Sequence, residues 1–144
     1  MDIKAVNIVR ALGWGGALPF LFFPPIAFLP APAWAEQVAV GYATVILSFM
    51  AGTLWARHLL LDRIRLPLLV GSNVLALLAW PALLMPLHIG ALWLAALFLA
   101  HLLLDEPWRS HGLPGWYRRL RLGLSSTVIV LLIVTGLIDA GRFF

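Results

Sequence analysis

The sequence predicts an all-α fold: a polytopic transmembrane helical bundle of five spans, N-terminus inside and C-terminus outside. Three observations point there. Residues are 62% hydrophobic and only 11% charged, so polar side chains are too few to cover a water-facing surface. The apolar runs approach or reach the ~20 residues that cross a bilayer. The cations fall on one side: Lys4, Arg10, Arg57, Arg63, Arg65, Arg109, Arg118, Arg119 and Arg121 lie at one set of turns, with Arg142 alone opposite. The net charge of +4 would suit nucleic acid, but these cations track the turns between spans, so no nucleic-acid partner is expected. The chain has no cysteine, which removes disulfides, thiolate nucleophiles and cysteine metal sites. All 144 residues are read as one transmembrane domain.

The first span is placed at residues 11–29, after Lys4 and Arg10. Gly13, Gly15 and Gly16 would let a neighbouring helix approach closely. Pro19 and Pro24-Pro25 each remove a backbone donor, so a kink or break is expected. Ala33-Trp34-Ala35 resembles a signal-peptidase site, but the preceding apolar run is long for a signal peptide. Residues 1–35 are therefore expected as a retained span and an Ala/Pro-rich loop, a cleaved signal being the other reading.

The second span is residues 38–61. There Gly41, Thr44, Ser48, Gly52 and Trp55 recur at three- and four-residue steps and share one helix face. Ser48 and Gly52 form a small-xxx-small pair suited to helix packing in lipid. The third span, 66–85, carries Ser72 and Asn73, expected toward the bundle interior, and a Trp80-Pro81 kink. The short turn at Pro86-Leu87 makes a tight hairpin with the fourth span, 89–104, and puts His88 at that interface. A cytoplasmic interfacial loop, 105–119, leads to the fifth span, 120–138, with Ser125, Ser126 and Thr127 near its start. Asp139 and Arg142 follow.

His58–Asp62 and His101–Asp105 both read HLLLD. RIRLPL (Arg63–Leu68) answers to RLRLGL (Arg119–Leu124), with Glu106–Arg118 inserted in the second copy. In a five-span topology, hairpins 2–3 and 4–5 would then be parallel repeats about an axis along the membrane normal. Convergence competes, because leucine is abundant and inside turns collect arginine. Within each copy His and Asp stand four residues apart on one helix face. Should spans two and four meet, His58, Asp62, His101 and Asp105 could bind zinc, iron or manganese, or relay protons. The simpler expectation is polar residues marking span ends, with no resident metal or cofactor. Trp108, Arg109, Trp116, Tyr117, Arg118 and Arg121 mix aromatic rings with guanidinium forks. That mixture predicts a belt facing membrane lipids, anionic ones included, a specific headgroup, quinone or partner-protein site being the other reading.

Three stretches resemble a five-helix integral membrane family known as domain-of-unknown-function family 3429. They are ALGWGGALPF (Ala11–Phe20), GYATVILSFMAG (Gly41–Gly52) with Trp55, and LPGWYRRLR (Leu113–Arg121). Their order and spacing agree over nearly the whole chain. Members often place His or Arg just before the residue matching Trp55, where this chain has Leu54; Arg57 and His58 stand on the next turn. The resemblance implies topology and carries no reaction.

No phosphate-binding glycine loop, His-Glu-x-x-His helix or nucleophile elbow is present in the sequence. Lys, Arg, Asp and Glu are missing from the span interiors, which weakens ion-coupled transport. The expectation is a multi-pass inner (plasma) membrane protein without catalysis of its own: a structural, lipid-associated or assembly component. Its partners would be lipids, with a second copy or another membrane protein as further partners. The alternatives are a small transporter with Ser48, Ser72 and Asn73 facing a pore, and a redox or metal accessory protein using the His/Asp pairs.

Overall fold

Proline sets the joints of the first span. The computed structural model describes residues 2–60, 66–105 and 113–143, with the backbone alone at Arg57, His58 and Leu60. Helix α1 (Ile3–Ala17) starts behind Asp2, whose carboxylate accepts from the Lys4 amide at 3.1 Å. A 3₁₀ segment, Leu18–Phe22, carries Pro19 in its first turn, and α2 (Phe23–Phe28) carries Pro24 and Pro25 in its own. At those positions the missing N–H would lack an intrahelical partner anyway. The prolines therefore re-aim the span without ending it. Ile3–Phe28 is one apolar stretch long enough to cross a membrane.

Helix α3 (Ala33–Leu60) begins earlier than the expected residue 38, directly after Pro32. Glu36 in its first turn complements the helix dipole. Helix α4 (Leu66–Ala79) passes at Pro81 into a second 3₁₀ segment, Trp80–Leu84. Helix α5 (Leu87–Leu104) follows Pro86, and α6 (Gly115–Gly141) follows Pro114. The early start of α6 moves Trp116, Tyr117, Arg118 and Arg119 from the expected loop onto a helix. Counting α1 with α2, and α4 with its 3₁₀ extension, five helical stretches are long and apolar enough to span a membrane. Among the described residues every regular element is helical.

Helix α5 holds the centre, with half of its apolar window buried. It packs most extensively against α6, and also against α3, α4 and Trp80–Leu84; α1 and α2 lie along α6. Lipid tails are as apolar as leucine, so close packing of small residues must hold such helices together. Ala43, Ala79, Ala82 and Ala91 accordingly sit at the core beside Leu47, Leu94 and Leu132. Phe20 knits α5, α3 and the first span, its ring 6.1 Å from Phe98, 5.5 Å from Tyr42 and 4.9 Å from Phe23.

Among the described glycines, Gly136 has the tightest surroundings. A Cβ there would lie 2.6 Å from Leu92 Cγ and 3.1 Å from the His88 carbonyl oxygen. Gly13 does the same for α1 on α6, with Leu124 Cδ1 3.0 Å from its virtual Cβ. The expected close approach at Gly15, Gly16 and Gly52 is absent: a Cβ at any of them would meet nothing within 4 Å. Gly15 and Gly52 are exposed on the outside of the bundle, and Gly16 borders a cleft.

Candidate functional site

Two polar clusters, each around a buried carboxylate, lie at opposite ends of the bundle. The first joins α3, α5 and α6 at the face where α1 starts. His101 closes the last turn of α5, and Asp105 is its C-cap residue. Tyr117 and Arg121 stand one turn apart near the start of α6, on one side of that helix. Arg121 Nε sits 2.6 Å from Asp105 Oδ2, with both side chains at most 8% exposed. Arg121 Nη1 donates to Thr53 Oγ1 on α3 and to Tyr117 Oη, both at 3.1 Å. The guanidinium also lies over the Tyr117 ring, 5.8 Å from its centroid. Thr53 in turn donates to the Met50 carbonyl at 2.7 Å. That carbonyl also faces His101 Nε2 at 3.0 Å. A carbonyl only accepts, so this contact assigns a proton to Nε2.

The chemistry of this arrangement is that of a lock. A charge in a low-dielectric interior is tolerated when paired and hydrogen-bonded. Asp105 neutralises Arg121, and hydroxyls take up one of its terminal nitrogens. Arg121 Nη2 is buried and has no hydrogen-bond partner among the described residues. Arg121 was expected in the lipid-facing belt; it is instead 6% exposed, because a carboxylate waits inside.

The second cluster lies at the other face and was not foreseen as a unit. Asp139 Oδ2 accepts from the His88 amide at 3.0 Å and contacts His88 Nδ1 at 3.1 Å. His88 is the second residue of α5, so its N–H is one of the donors a helix start leaves without an intrahelical acceptor. A carboxylate on α6 thus caps α5 from outside. Arg142, three residues on, donates from Nη1 to the Ala27 carbonyl of α2 at 3.0 Å and lies 3.9 Å from Asp139 Oδ1. Carboxylate at a helix start and guanidinium at a helix end both match the helix dipole. Phe143 covers the His88 ring at 5.1 Å.

The remaining candidate residues are dispersed. Arg10 places its guanidinium 5.6 Å from the centroid of the half-buried Trp116 ring. Arg118 is half-buried on α6. Trp108, Arg109 and Asp62 lie outside the described residues, as does the His58 side chain, so convergence of the two His/Asp pairs falls outside them too. Among the described residues no three His, Cys, Asp or Glu side chains gather as a metal would need. Ser48 donates to the Thr44 carbonyl at 2.9 Å and Ser72 to the Leu69 carbonyl at 2.7 Å, each within its own helix. Asn73 is exposed on the outside of α4, where interior placement was expected, and its amide donates to the Leu69 carbonyl. That bond removes the reason for it to turn inward. Gly41 is half-buried, with only Leu83 near its virtual Cβ.

Sequence reasoning missed Asp139, Gly136 and the 2.7 Å bond from Tyr42 Oη to the Gly16 carbonyl. One signal was available for Asp139: a carboxylate abutting an apolar run needs a partner.

Five apolar helices, joined by the buried Asp105–Arg121 ion pair and by the contact of Asp139 with His88, define a multi-pass helical membrane protein. Residues 5–137 match the family described as "Protein of unknown function (DUF3429)", and the chain belongs to that family. No curated protein and no solved structure matches the chain.

Proposed function

We propose that the protein is a non-catalytic, lipid-associated structural component of a cell inner (plasma) membrane, oriented N-terminus in and C-terminus out. One observation carries this reading. The buried charged side chains among the described residues are engaged in cross-links between helices: Asp105 with Arg121, and Asp139 with His88. Charge spent on holding helices together is unavailable for turnover or for a conduction path. What faces outward at the arginine-rich end is cationic and aromatic: Lys4, Arg10 and Arg119 are exposed, and Arg10 lies over Trp116. Guanidinium groups favour phosphate, and indole favours the headgroup layer, so anionic lipid is the natural partner. The positive-inside rule supports the orientation.

Thermal unfolding of the protein in neutral and in anionic bilayers tests the reading. The expected outcome is a midpoint higher by about 4 °C or more with anionic lipid, which corresponds to roughly 1–2 kcal/mol for a domain this size. Equal midpoints in the two lipids would overturn it.

A further inference from the structure

Below Arg10 and Trp116 lies a cleft of about 140 Å³ between the first span, α3 and α6. Gly13, Gly16 and Phe20 form one wall, Phe49 and Met50 the second, and Leu124 the third. Among the described residues that line it, Ser125 alone has a polar side chain. A space so apolar excludes water and suits hydrocarbon. Gly16 opens it, since a Cβ there would meet nothing within 4 Å. On the deep side, the first span and α3 are closed together by the Tyr42 hydroxyl on the Gly16 carbonyl and the Tyr42 ring against Phe20. Toward the lipid, Leu12 and Phe49 at its margin are 71% and 69% exposed.

We propose that this cleft holds one acyl chain of an anionic phospholipid whose phosphate is bound by Arg10. The proposal rests on the lipid-associated reading above and adds a discrete site to it. Arg10 precedes Gly13 by three residues and Ala17 by seven, so it stands on the face that lines the cleft. Arg10 and Gly16 are separated by about 9 Å along the helix axis. The headgroup layer on one side of a bilayer is about 5–8 Å thick, so phosphate at Arg10 puts the first methylenes at the cleft. Charge complementarity selects the lipid. Among the described residues no carboxylate pairs with Arg10, whose described contact is the Trp116 ring. A guanidinium held at the headgroup level over an indole can donate to a phosphate oxygen without breaking an ion pair.

Native mass spectrometry of the detergent-solubilised protein titrated with phosphatidylglycerol and phosphatidylcholine of equal chain length tests the site. The wild type is expected to bind a first phosphatidylglycerol about tenfold tighter than phosphatidylcholine, ahead of any non-specific ladder. Gly16→Leu, which fills the cleft, is expected to weaken the first site for both lipids by about tenfold or more. Arg10→Gln is expected to erase the preference while leaving phosphatidylcholine binding intact. Unchanged first-site binding in Gly16→Leu, or an intact preference in Arg10→Gln, would overturn the proposal. Phosphatidylglycerol bearing a diazirine in its acyl chain gives a readout on the wild type, whatever the variants' folding. Crosslinks are expected in residues 12–20 and 46–50, and uniform labelling of every span would overturn the site. A cleft-filled variant that binds like the wild type and keeps its anionic-lipid stabilisation removes this site alone. A wild type indifferent to lipid charge in both assays removes the broader reading as well.

Discussion

Arg121 and Asp105 occupy a setting in which neither charge could stand alone. They are 6% and 3% exposed, and their contact is 2.6 Å. Removing one partner of such a pair strands the other in low dielectric. Arg121→Met should therefore destabilise the fold by about 3–5 kcal/mol, read as a lowered unfolding midpoint in detergent. Adding Asp105→Leu should recover a substantial part of that loss, since both charges then disappear together. A double variant no more stable than Arg121→Met would sink the lock interpretation. Both residues stood out in the sequence, but for other reasons: Asp105 as a candidate ligand, Arg121 as a lipid contact. A pairing across a turn depends on which way α6 starts, and composition does not encode that. Gly136 makes the complementary point. Gly136→Ala would drive a Cβ into Leu92 and the His88 carbonyl, destabilising by about 1–3 kcal/mol. Gly52→Ala, with open space around it, should be neutral or stabilising by up to about 1 kcal/mol. Equal unfolding midpoints for the two variants would refute this reading of the α5–α6 contact.

At the scale of elements, hydropathy located all five spans, and Pro19, Pro24, Pro25 and Pro81 marked the joints where helix gives way to 3₁₀ turns. The starts of α3 and α6 were misplaced by several residues because polar first turns can be helical outside the hydrocarbon layer. The cap on α5 was not legible. Asp139 and His88 are 51 residues apart, and their meeting depends on packing of α5 against α6. Asp139→Ala should cost about 1 kcal/mol, in the range of an ordinary N-cap loss. The loss should be local. Hydrogen exchange should rise in the first turn of α5 and stay unchanged at its middle, near Leu94. Protection unchanged in that first turn would show that another acceptor serves the His88 amide.

For the whole molecule, the charged groups that link helices among the described residues lie at the two ends of the bundle: Asp105 and Arg121, with Thr53 and His101, at one, and Asp139, His88 and Arg142 at the other. Between them, packing depends on alanine, glycine and a few aromatic rings, with single hydrogen bonds from Tyr42 to the Gly16 carbonyl and from Trp93 to the Leu78 carbonyl. Such a bundle is clamped at its ends, and the structural role proposed above rests on that clamping. The proposed orientation rests on charge alone, since Arg142 is the lone cation expected opposite the other nine. The chain contains no cysteine, so single Lys4→Cys, Arg119→Cys, Gln37→Cys and Phe143→Cys variants report topology without background. All four positions are exposed. With a membrane-impermeant maleimide on intact cells, Gln37→Cys and Phe143→Cys should label directly. Lys4→Cys and Arg119→Cys should label only after permeabilisation. Labelling of Lys4→Cys and Phe143→Cys from the same side would contradict an odd number of crossings, and with it the five-span bundle.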